Sequence, residues 1–76
     1  MHDSQVKWKC RKGLRELDIL LSRYFDEKYP TLPDKDKLVF IDFLELDTYE
    51  ILDMLTNKIN NDTKYKNILL VLKSLN

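Results

Sequence analysis

Cys10, His2 and the string Arg11-Lys12-Gly13-Leu14-Arg15-Glu16 are the residues of this 76-residue chain whose types could do chemistry or recognition. Cys10 sits among Lys9, Arg11 and Lys12, and neighbouring cations favour a thiolate. A thiolate nucleophile needs a base, and the one histidine, His2, stands at a terminus, where chains fray. The other reading of Cys10 is a small buried side chain under Trp8, the usual fate of a free cysteine. His2 and Cys10 are also the only soft metal ligands, whereas a zinc site takes four ligands, or three and a water. No metal is expected. A single glycine cannot build a phosphate-cradling loop. Lys7, Lys9, Arg11, Lys12 and Arg15 could meet phosphates, with Trp8 to stack on a base. A pI of 6.6 and the nine acids between residues 26 and 53 oppose a polyanion, so no nucleic acid is expected. Nothing here predicts an enzyme.

Gly13 needs its own explanation. It is the only glycine, the chain has no alanine, and it stands in a helix-favouring amphipathic run. Inside a helix it would cost roughly 0.8–1 kcal/mol relative to alanine. One reading makes Gly13 the end of a first helix, with Glu16 in the first turn of a second, favoured by the helix dipole. The other makes it part of a docking patch, where glycine leaves the backbone uncovered. On a continuous helix Gly13 and Lys12 would both neighbour Glu16.

The elements that must position this string are helical. Val6 to Lys12 reads as a short helix capped by Ser4. Leu14, Leu17, Leu20, Leu21, Tyr24 and Phe25 then follow one helical face, which stops near Lys28 or Tyr29, ahead of Pro30. Pro33, Asp34 and Asp36 open a third helix, about Lys35 to Leu46. Its Leu38, Ile41 and Leu44 share one side and Phe40 and Phe43 add to it, which places it at the centre of the bundle. Asp47-Thr48-Tyr49-Glu50 resembles a capping box and opens a fourth helix that buries Leu52, Leu55 and Ile59. Asn60-Asn61-Asp62 turns the chain, and Asp62 or Thr63 caps a last helix along Tyr65, Ile68, Leu69, Leu72 and Leu75. No alternating pattern suggests a strand. The expected fold is all-α: a compact, single-domain bundle of about five helices over residues 1–76, with 1–4 and 75–76 frayed.

Composition narrows the function further. A chain this short buries only about 60% of its unfolded surface, so no deep substrate cavity is expected. The zero net charge is unevenly placed: +3 over residues 1–25, −6 over 26–53 and +3 over the rest. Such a two-signed surface suits oriented docking on another protein. The lone cysteine suits a reducing compartment. The N-terminus MHDSQVKWK lacks the apolar core of a signal peptide, and Ile68 to Leu72 is far short of the roughly 20 residues that span a bilayer. A cytoplasmic protein without membrane insertion is expected, and a monomer.

The string from Trp8 to Asp18, W-x-C-R-K-G-L-R-E-L-D, resembles the W-x-C-R-R-G-M-x-E-L-D signature of the FAD assembly factor SdhE family. The mitochondrial counterpart of that family is succinate dehydrogenase assembly factor 2. The likeness runs on through Leu21, Phe25, Tyr29-x-x-Leu32 and Phe40-x-x-x-Leu44-Glu45-x-Asp47, and covers about residues 8–58. The resemblance implies a small five-helix chaperone that binds the flavoprotein subunit of succinate dehydrogenase, or of fumarate reductase. Such a factor promotes covalent attachment of FAD to a histidine of that partner and binds no FAD stably itself. It also implies that an R-G-x-x-E patch meets the flavoprotein near its flavin. Here Gly13 and Glu16 match that patch directly, Lys12 replaces its arginine, and Arg11 precedes it. The implied partner-binding residues are Arg11, Lys12, Gly13, Arg15 and Glu16, with Trp8 and Asp18 beside them. Lysine keeps the charge and loses the planar fork. Met54 stands where many relatives have tryptophan. Outside the family, a small antitoxin-like or regulatory protein-binding module is the other reading.

Overall fold

A computed structural model describes residues 3–57 and 62–75. Five α-helices and one 3-10 turn make up the fold: α1 Asp3–Lys9, α2 Arg15–Glu27, the turn Tyr29–Thr31, α3 Asp34–Leu44, α4 Thr48–Thr56 and α5 Lys66–Leu75. The described residues contain no strand, in keeping with the all-α expectation. His2, Ile59, Asn60 and Asn61 lie outside the described residues.

Local chemistry sets most boundaries. α2 stops at Glu27 because Pro30 follows, and Tyr29-Pro30-Thr31 tightens into the 3-10 turn with proline in its first turn. α3 begins behind Pro33 with Asp34 and Asp36 in its first turn, against the positive end of the dipole. α4 is capped by Asp47, whose carboxylate accepts the Tyr49 N–H at 2.8 Å. Thr63 Oγ1 accepts the Tyr65 N–H at 3.4 Å just ahead of α5.

All five helices contribute to the core, α1 with Val6 and α4 with Ile51. α2 buries Leu17, Leu21 and Tyr24, α3 buries Phe40, Phe43 and Leu44, and α5 buries Ile68, Leu69 and Leu72. Full burial of one such side chain is worth about 1.5–3 kcal/mol. An aromatic cluster ties α2, the 3-10 turn and α3 together. Tyr24 stacks on Phe40 at 4.7 Å, Phe25 on Tyr29 at 4.9 Å, and Tyr29 tilts against Phe40 at 5.7 Å.

Four expectations are corrected. α1 starts at Asp3 and ends at Lys9, so Ser4 lies inside the helix and does not cap it. α3 lies in the core, but its buried face is Phe40, Phe43 and Leu44 and not the side that carries Leu38. Leu38 is 67% exposed, because the two phenylalanines set the inward face and rotate Leu38 away from it. In α4 the fully buried residue is Ile51, while Leu52 and Leu55 are half-buried beside it. Trp8 does not cover Cys10: the indole is 69% exposed, while Cys10 is fully buried.

Candidate functional site

The chain leaves α1 through two tight hydrogen bonds, Cys10 N–H to Lys7 C=O and Arg11 N–H to Trp8 C=O, each 3.1 Å. Both span three residues, the tightened ending that runs a helix out. Gly13 then takes φ +89°, a left-handed conformation that side chains resist. Leu14 is extended, and α2 begins at Arg15. Gly13 is therefore the corner between two helices, as the first reading of its sequence has it. A Cβ built on Gly13 would meet nothing within 4 Å, so the glycine is required by backbone shape and not by crowding.

Lys12 anchors this corner. Its backbone N–H donates to the Asp18 carboxylate on α2. Its backbone carbonyl accepts from Thr48 Oγ1, the first residue of α4, at 3.3 Å. Its ammonium donates to the carbonyl of Leu44 and, at 3.2 Å, to that of Leu46. Leu44 ends α3, where helix acceptors go unpaired and a cation is favoured, and Leu46 follows just beyond it. Sequence reading placed Lys12 on the outside and missed Thr48, because nothing in the spacing shows that α3 ends beside the corner.

The neighbours of Lys12 face solvent. Arg11 lies over the exposed Trp8 ring, 5.4 Å from its centroid. Arg15 and Glu16 are exposed, and neither makes an ion pair or side-chain hydrogen bond among the described residues. An open groove along α2 is lined by Arg11, Gly13, Arg15, Asp18 and Ile19, with Ser22 farther along. Trp8 borders a smaller hollow that shares Arg11 and Ser22 with it. Glu16 lies over the ridge of α2, in an apolar hollow with Leu17, Leu20, Leu52 and Leu55. Ile19 lines both hollows and is 56% exposed. It was missed, although its position off the Leu17-Leu21-Tyr24 stripe signals an outward apolar residue.

Other acids along this surface are already engaged. Lys7 pairs with Asp26 at 2.9 Å, Arg23 with Glu27 at 2.6 Å, and Lys9 with Glu45. Cys10 is fully buried, its Sγ 3.5 Å from the Val6 carbonyl. Burial, with Asp26 nearby, pushes the thiol up to about 11, and the opposing pull of Lys12 and Lys7 is weaker. The basic neighbourhood therefore does not activate it. Among the described residues no group of three or more His, Cys, Asp or Glu is gathered to hold a metal ion, and no helix is long and apolar enough to cross a membrane.

A protein-family model described as flavinator of succinate dehydrogenase matches residues 4–76. Three FAD assembly factors SdhE are similar to the chain. The protein of Pectobacterium atrosepticum is 41% identical over 54 residues, 71% of this chain and 61% of that relative. That of a Serratia species is 42% identical over 53 residues, covering 70% and 60%. That of Shewanella oneidensis is 41% identical over 51 residues, covering 67% and 62%. The match thus spans about three-fifths of the length of these relatives. No solved structure matches the chain.

Proposed function

The chain belongs to the flavinator of succinate dehydrogenase family, and we propose from that premise that it is an FAD assembly factor acting on the flavoprotein subunit of succinate dehydrogenase. It works by binding and not by catalysis. The observation that carries this reading is the corner between α1 and α2: a bare glycine backbone at φ +89°, with Arg11, Arg15 and Glu16 exposed around it. Their charged groups make no ion pair within the described residues, so they are open to a partner. Trp8 and Ile19 add exposed apolar area beside the charges, the residue mixture of a protein contact.

In this reading the flavin and the partner's own site carry out the attachment, and the factor holds no FAD of its own. It favours the partner conformation in which flavin and acceptor side chain are arranged to react, through tighter binding to that state. Contacts on both sides of the α2 ridge, Arg11 and Arg15 on one and Glu16 on the other, give the orientation such a shift needs. One copy acts on one partner.

Co-expression with a candidate flavoprotein subunit tests this, with flavin fluorescence read on the denatured partner band. Covalent flavin that depends on this chain is the expected result. Equal fluorescence with and without the chain, for the flavoproteins of both succinate dehydrogenase and fumarate reductase, overturns the reading.

A further inference from the structure

Lys12 stands between Arg11 and Gly13 in the exposed corner, yet each of its polar groups is used inside the protein. The N–H goes to Asp18, the carbonyl receives Thr48 Oγ1, and the ammonium spans the Leu44 and Leu46 carbonyls. One residue thereby joins the corner to α2, to the end of α3 and to the start of α4. Arg11 and Arg15 on either side have no such attachment, and their guanidinium groups face outward.

We propose that Lys12 is a positioning residue: it clamps the corner from within, and Arg11 and Arg15 make the contact with the partner from the backbone so fixed. This rests on the corner being the docking face and adds a division of labour within it. The lysine suits the inward task. A compact ammonium with three donors serves the carbonyl that ends α3 and the one two residues beyond it. A clamp of this kind lowers the ordering cost of binding, because the corner does not have to be immobilised on contact.

The test uses the full chain and a purified flavoprotein subunit, with affinity, urea unfolding and amide hydrogen exchange as readouts. Arg11→Ala and Arg15→Ala should each weaken binding about fivefold or more, with the unfolding midpoint unchanged. Lys12→Met keeps the stem and removes the donors. It should weaken binding about tenfold and speed exchange at the Lys12 amide, and Arg15→Ala added to it should cost less than about twofold more. Lys12→Arg should restore binding and slow exchange. Additive losses with unchanged exchange would show Lys12 touching the partner directly, and overturn the proposal. So would a Lys12→Met variant that binds like the parent. If Lys12→Met does not fold, Thr48→Val removes only the bond to the Lys12 carbonyl and should still weaken binding about twofold to threefold; unchanged affinity overturns the proposal. A parent chain that fails to bind any flavoprotein subunit overturns the docking reading itself, a result separate from those on the variants.

Discussion

The backbone N–H of Lys12 donates to the carboxylate of Asp18, six residues on and in the first turn of α2. The bond closes the corner over Gly13 and ties it to α2, at whose N-cap position Leu14 makes no side-chain hydrogen bond. Asp18 is thus a structural hinge-pin as well as a neighbour of the exposed arginines.

Asp18→Ala leaves a half-buried N–H without its charged acceptor. A loss of about 1–2 kcal/mol of stability is expected, measured by urea unfolding. Asp18→Asn retains an acceptor oxygen and should lose less than half as much.

Gly13→Ala tests the backbone directly. A side chain at φ +89° meets no atom within 4 Å, so its only cost is conformational, about 1–2 kcal/mol. Gly13→Asn should cost less, because asparagine tolerates left-handed backbone. An alanine variant as stable as the parent would mean that the corner has another shape.

Much of this corner was legible in the sequence. A lone glycine between two amphipathic runs signals a break, and Asp47 as a cap follows from its spacing to Glu50. What was not legible depended on tertiary neighbours. The inward turn of Lys12 needs the end of α3 beside it, and a lysine in a basic string reads as solvated. Leu38 reads as core because Ile41 and Leu44 follow at helical spacing, yet Phe40 and Phe43 outweigh it in apolar area and set the rotation of α3. The burial of Cys10 follows from the usual fate of a free cysteine, but its cover does not: Trp8 turns out to solvent instead of lying over the thiol.

Glu16→Ala separates recognition from folding. The carboxylate is exposed in the first turn of α2, where the dipole favours it by no more than about 1 kcal/mol. Melting should therefore barely change, while covalent flavin in the co-expressed partner falls. Destabilisation by several kcal/mol would make Glu16 a structural residue and remove it from the docking face.

Cys10 should ignore thiol reagents in the native protein. With its titration pushed from 9.0 up to about 11, the thiolate population falls about a hundredfold, and burial blocks access as well. Modification by a disulfide reagent at pH 8 should proceed only as fast as the protein opens, and speed up across the urea transition. Rapid labelling without denaturant would show that α1 detaches readily from the bundle.

The last prediction concerns acid. Asp42 on α3 accepts hydrogen bonds from the Lys64 ammonium and, at 2.9 Å, from the Tyr65 hydroxyl, which together hold the start of α5 against α3. Tyr65 is buried and packs edge-on against Phe43 at 5.2 Å, so the contact also fixes an aromatic pair of the core. The Lys64 bond, then the Tyr65 bond, hold the Asp42 carboxyl below its ordinary value of 3.8. The unfolded chain therefore takes up a proton before the native one, and stability falls as the pH drops through the native value. Above about pH 5 this contribution is fully present, since both states are ionised there. Asp42→Asn should lower the urea midpoint at about pH 7, and its deficit should shrink as the pH approaches 3. A deficit that stays constant between these limits would show that the carboxylate charge does not bind α5 to α3.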